Sequence, residues 1–167
     1  MALVLIVALF VSKSYSLDRS ITINKPKSEV FDYISYLKNQ DYFNKWVMAD
    51  PHMKKDFRGT DGQVGFVYLW DGNKKAGKGE QQIKAIVPGQ RLDVEIRFIK
   101  PFEGIAQTAI VTETLTEQQT KVNWSMSSSM KYPMNIALLI GIDKMLGKDL
   151  QDSLNNLKGI LEANQKA

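Results

Sequence analysis

The chain has 167 residues, 44% of them hydrophobic and 24% charged, which is a globular composition long enough for one domain with a real core. Its 22 Lys and Arg against 18 Asp and Glu leave a net charge of only +4, dispersed along the chain, which argues against a nucleic-acid footprint. With no cysteine and a single histidine, it can build neither disulfides, nor thiolate nucleophiles, nor a sulfur-based zinc site, and no cofactor or metal is expected.

Ala2 to Val11 is a nearly unbroken apolar run. It has about half the roughly 20 residues that a helix needs to cross a bilayer, and it lacks the basic start and small-residue cleavage site of a secretory signal. Residues 1–15 are therefore expected to be an apolar segment that is the end of a longer membrane anchor, with a short arm packing on the domain or on a neighbour as the other reading. The first places the protein at a membrane, the second in the cytoplasm. Residues 16–167 carry one domain with no linker and no internal repeat.

Ser20 to Asn24 alternates Ile21 and Ile23 with polar residues, the pattern of a strand with one buried face. Pro26 suits a first helical position, and Val30, Phe31, Ile34 and Leu37 follow at helical spacing. A second amphipathic piece from Gln40 to Trp46 ends before Asp50 and Pro51. Six further strands are expected at His52 to Arg58, Val64 to Trp70, Gly77 to Val87, Arg91 to Ile99, Ile105 to Leu115 and Thr120 to Met130. They are divided by turn residues such as Asp61-Gly62, Asp71-Gly72-Asn73 and Pro88-Gly89. Alternation assigns Phe66, Tyr68 and Trp70, then Leu92, Val94, Ile96 and Phe98, then Val122, Trp124 and Met126 to inward faces.

The last element is a long amphipathic helix from Pro133 to about Asn164, with Leu139, Ile142, Leu146, Leu150, Leu154, Leu157 and Leu161 at steps of three and four. Unbroken, it would be about 48 Å long at 1.5 Å per residue. Gly141, Gly147 and Gly159 interrupt it, and a bend near Gly141 or Gly147 would open room under its first half. Such a helix needs a partner, and the concave face of a seven-strand antiparallel sheet supplies one. The fold class is α+β: a helix-grip arrangement with two short helices after the first strand.

Several pieces in this order carry a resemblance: Asn24-Lys25-Pro26 with Val30-Phe31, Val64-Gly65 leading to Trp70-Asp71-Gly72, Gly77-Lys78-Gly79-Glu80, and Pro101-Phe102-Glu103-Gly104. Thr120-Lys121-Val122-Asn123-Trp124 and Lys144-Met145-Leu146-Gly147-Lys148-Asp149 continue it. Over about Ser16 to Asn164 the chain resembles the START/Bet v 1 (SRPBCC) superfamily, within it the polyketide cyclase/dehydrase-like branch. That resemblance implies a deep apolar cavity between sheet and long helix, taking a lipid or other apolar small molecule, in relatives of which some are enzymes and many only bind.

The expected lining is Trp46, Phe66, Tyr68, Trp70, Val94, Ile96, Phe98, Trp124, Met126, Met134, Leu138 and Ile142. An ionisable group projecting into such a cavity could serve as acid or base, for which Glu80 and Tyr68 are the weak candidates. Glu95 and Arg97 fall on the opposite face of their strand, as an outer ion pair. His52 has no nucleophile or ligand set around it, Gly77 and Gly79 lack the third glycine and following helix of a dinucleotide site, and the Asn123 sequon lies inside a strand. The function expected is binding of an apolar ligand, with a cyclase/dehydratase enzyme and a protein-interaction module as the alternatives.

Overall fold

The computed structural model describes residues 9–139 and 141–163. Seven strands form one antiparallel sheet in the order β1-β7-β6-β5-β4-β3-β2. They are β1 (Ser14–Ile23), β2 (Lys54–Arg58), β3 (Val67–Asp71), β4 (Lys78–Val87), β5 (Arg91–Lys100), β6 (Gly104–Thr116) and β7 (Gln119–Ser129). After β1 come α1 (Lys27–Ser35) and the single turn α2 (Gln40–Phe43), and the chain ends in α3 (Ile142–Ala163). Most of the meander is sequential, and the one long connection carries the two short helices from β1 to the opposite edge of the sheet.

Three expected boundaries move. β1 begins at Ser14 and runs ten residues, so it reaches into the segment read as an apolar arm, with Tyr15 paired opposite Ser128. The second helix stops at Phe43, three residues short of Trp46, and a 3-10 turn at Val47–Ala49 follows. The terminal helix is not one rod from Pro133. A 3-10 turn covers Met134–Leu138, and α3 starts only at Ile142, so its 22 residues span about 33 Å. Gly141 at φ +82° is the reason, because a left-handed residue ends the first helical stretch and re-aims the second. Leu139 leaves the apolar stripe with it and is 60% exposed.

The core has two parts. Leu150, Leu154, Leu157 and Leu161 of α3 pack on Leu17 and Ile23 of β1, Ile110 of β6, Val122, Trp124 and Met126 of β7, and Val30, Phe31 and Ile34 of α1. Burying each of those leucines contributes roughly 1.5–3 kcal/mol. Leu37, Phe66, Tyr68, Ile83, Leu92 and Val94 form a second cluster under β3 to β5. Polar ties hold α3 in place: Lys158 Nζ donates to Thr22 O at 2.6 Å, Asn24 N to Glu162 Oε1 at 2.7 Å, and Asn156 Nδ2 to Phe43 O at 3.2 Å. The β2 edge is exposed along its length and carries Lys54, Lys55 and Arg58, which discourages pairing with another chain. Among the described residues no helix is long and apolar enough to cross a membrane, and Met1 to Ala8 of the apolar run lie outside them.

Candidate functional site

Between the two clusters a cavity of about 240 Å³ remains. Its walls come from five strands, the last helix and the connecting segments. β3 gives Trp70, β4 gives Gln81, β5 gives Ile96, Phe98 and Lys100, and β7 gives Met126. The segment after α2 gives Asn44, Trp46, Val47 and Met53, α3 gives Leu146, and β1 gives Tyr15. Lys75 and Ala76 of the β3–β4 turn and Pro101 of the β5–β6 turn complete it. Lys75, Lys100 and Pro101 are the exposed members, so the mouth lies between those two turns.

Trp70 sets the shape of one wall. Its indole lies over Gly79 of the neighbouring strand, where a Cβ would stand 2.6 Å from the ring and 2.5 Å from the Arg97 carbonyl oxygen. Only glycine allows that approach. The indole Nε1 donates to Ala76 O at 3.1 Å, and Phe98 meets the ring edge-on at 6.3 Å between centroids. A tryptophan pinned on three sides gives a stiff apolar wall rather than a collapsible one.

The floor is polar. Gln40 Oε1 accepts from Asn44 Nδ2 at 2.8 Å and from Gln81 Nε2 at 3.3 Å, and Asn44 Oδ1 accepts from the Trp46 amide at 3.0 Å. All three amides are buried. Tyr15 adds a hydroxyl whose pKa is pushed up by burial, an effect partly offset by its hydrogen bond with Ser128. No carboxylate and no histidine are among the lining residues.

Of the residues expected in the lining, Trp46, Trp70, Ile96, Phe98 and Met126 stand there. Phe66, Tyr68, Val94 and Trp124 face the same way but are consumed by core packing, at 0% to 3% exposure. Met134, Leu138 and Ile142 do not reach the cavity, because the break at Gly141 carries the 3-10 turn away and leaves Leu146 as the helix's contribution. Asn44, Gln81, Met53 and Tyr15 were not anticipated. For Gln81 a signal was present: Glu80, Gln82 and Lys84 are all polar, whereas Gly79, Gln81 and Ile83 share the other face with an apolar member. The structure buries that second set.

Both acid–base candidates are corrected by this geometry. Glu80 stands on the outer face, opposite Arg97 in the strand register, with Arg97 Nη1 at 3.2 Å and Glu95 bound to the same guanidinium at 3.3 Å. It faces away from the cavity because β4 turns Gly79 and Gln81 inward. Tyr68 is fully buried in the second cluster and donates its hydroxyl to Asp41 Oδ1 at 2.6 Å, while Lys55 Nζ holds Asp41 Oδ2 at 2.8 Å. Burial first, then the hydrogen bond to Asp41 and its charge, raise the Tyr68 pKa far above the ordinary 10.0 and keep the hydroxyl neutral. His52 is exposed, as expected of a lone surface histidine.

The Tyr68 arrangement predicts a pH signature. A folded-state pKa above the unfolded one contributes stability that is present in full below pH 10.0 and is lost as the pH climbs from there toward the folded value. Urea unfolding between pH 8 and 11 is therefore expected to show stability falling above about pH 10, with a shallower fall in Tyr68→Phe. Equal slopes in the two proteins would move the effect to Tyr15 and Tyr33, whose pKa values burial also raises.

No family model matches the chain, and a search of curated proteins finds no match. Solved structures do match. Norcoclaurine synthase from Thalictrum flavum, determined with dopamine and hydroxybenzaldehyde, superposes with a TM-score of 0.70 at 10% identity, covering 97% of this chain and 94% of that one. Ara h 8.0201 gives 0.64 at 14% identity over 90% and 99%. XoxI from Bacillus cereus gives 0.66 at 12% identity over 91% and 99%. The chain shares its helix-grip fold with these solved structures. In this helix-grip protein, seven strands, two short helices after β1 and a long terminal helix stand in the order the resemblance implied.

Proposed function

We propose that this helix-grip protein binds an apolar small molecule or lipid in the cavity between β3–β5, β7 and the first half of α3. The observation that carries the reading is the wall itself: Trp46, Trp70, Ile96, Phe98, Met126 and Leu146 converge on unfilled space, with the buried amides of Asn44 and Gln81 beneath it. An apolar enclosure with a few convergent polar groups is the usual form of a small-molecule site. At about 240 Å³ it lies just under the range of about 300–1,000 Å³ common for such sites, so the ligand is small or leaves part of itself outside. Burying about 300 Å² of apolar surface would gain roughly 7 kcal/mol before association costs, which corresponds to modest affinity.

The same reading assigns membrane association to the N-terminal run, of which Leu9 and Phe10 are 64% and 87% exposed. Because Lys13 O accepts the Met130 amide and Val11 O the Asn135 side chain, a test deletion ends at residue 10 rather than 15, leaving β1 whole. The experiment is native mass spectrometry of the purified protein without residues 1–10, followed by organic extraction. A discrete apolar adduct, or stabilisation by members of a lipid and aromatic panel, is the expected result. A bare protein that no panel member stabilises overturns the binding reading and leaves the interaction module, whose partner would be lost with residues 1–10.

A further inference from the structure

The cavity mouth carries charge of one sign. Lys75 and Lys100 both line the cavity, both are exposed, and among the described residues neither forms an ion pair. The strand register gathers more of the same charge at this end of the sheet, because Lys54 pairs with Asp71, Asp71 with Lys78, and Lys78 with Lys100. Asp71 is the one carboxylate in that row, and it is taken by Lys78 Nζ at 2.7 Å. The hydrogen bond to Lys78, reinforced by the charges of Lys100 and Lys54, holds its carboxyl below the usual range, as a field with surplus positive charge does. Asp50, next along the chain fold, accepts the backbone amides of His52 and Asn73 instead. Glu103 sits in the β5–β6 turn and does not line the cavity.

Apolar walls below two unpaired ammonium groups are complementary to one kind of molecule. The geometry points to an amphipathic anion as the ligand, with its apolar body against Trp70, Phe98, Met126 and Leu146 and its carboxylate or similar headgroup between Lys75 and Lys100. This deepens the proposal of an apolar-ligand site and rests on it. The size agrees: about 240 Å³ holds about eight groups of water size at about 30 Å³ each, a chain or ring of that length with its head left at the mouth. Long lysine side chains can follow such a head without leaving water, so recognition is by charge and not by a fixed bidentate fit.

The test compares octanoate with octan-1-ol, which share a body and differ in charge, by calorimetric titration of the full chain at pH 7 in low salt. Octanoate is expected to bind about tenfold more tightly, since two solvent-exposed ion pairs add up to about one factor of ten, and the advantage shrinks as salt rises. In Lys75→Gln/Lys100→Gln the octanoate advantage over octan-1-ol falls to near unity. Leu146→Trp, which fills the cavity, removes both ligands if the anion's tail is inside. Equal affinity for the two compounds in the unaltered protein overturns the anion assignment and leaves the apolar site standing. Binding of octanoate that survives Leu146→Trp places it on surface lysines and also overturns the assignment. If neither compound binds, the apolar-site proposal fails and this one falls with it.

Discussion

Replacing Trp124 by alanine is expected to cost about 3–5 kcal/mol of unfolding free energy, the largest single loss available on β7. The side chain is 2% exposed in the main core cluster. Its indole Nε1 donates to Thr108 Oγ1 at 2.7 Å, and Thr108 in turn donates to the Ser125 carbonyl at 2.7 Å, so the ring closes a buried chain between β6 and β7. Phe43 of α2 meets it edge-on at 6.0 Å. Alanine removes the packing, the aromatic pair and the donor together, and the space opened lies within a close-packed core cluster that cannot fully collapse into it. In a chain of this size about 4 kcal/mol lowers the melting temperature by roughly 8–16 °C. Trp124→Phe keeps the ring and loses the donor, so a fall of about 1–2 kcal/mol is expected of it. Chemical denaturation of both variants checks the pair, and equal losses would show that the hydrogen bond, not the packing of the ring, carries most of the effect.

The second large effect concerns binding without stability. Leu146 is half-buried at the start of α3 and faces the cavity across from Trp70, Phe98 and Met126. Leu146→Trp adds an indole where space already exists, so the folded protein is expected to lose less than about 1.5 kcal/mol or to gain slightly. Ligand uptake is expected to fall at least about a hundredfold, because the occupied volume is the site. A melting curve that stays put while ligand-induced stabilisation disappears is the diagnostic combination. Loss of both would mean that the tryptophan had distorted the helix instead of filling the cavity.

The architecture was legible because its signals are local. Alternation in Leu92 to Phe98 and Val122 to Met126 states which residues face inward, and the leucine spacing from Leu146 to Leu161 states which stripe of the helix does. The structure buries or half-buries all of these. The cavity was less legible, because alternation gives a face and not a depth. Val94 and Phe98 share a face, yet Val94 is sealed in the second cluster while Phe98, four residues nearer the strand end, lines the void. What separates them is where α3 and the segment after α2 pass overhead, a tertiary matter. Gly141 marks a place for a bend, but periodicity does not show that the turn before it swings off the cavity, and Met134, Leu138 and Ile142 stay out of the lining for that reason. The side Glu80 takes stays open in the sequence because glycines at 77 and 79 hide the face of β4. Ile83 carries the apolar parity that resolves it.

The account rests on one claim, that ligand enters the space between Trp70, Phe98, Met126 and Leu146. The most direct measurement is a methyl-region NMR titration of the full chain with octanoate, following Met53, Ile96, Met126 and Leu146 of the cavity against Leu154 and Leu157 of the closed core. Saturable shifts confined to the first group are the predicted result. Shifts spread over exposed methyls such as those of Leu139 and Met145, with Ile96 and Met126 unmoved, would contradict it.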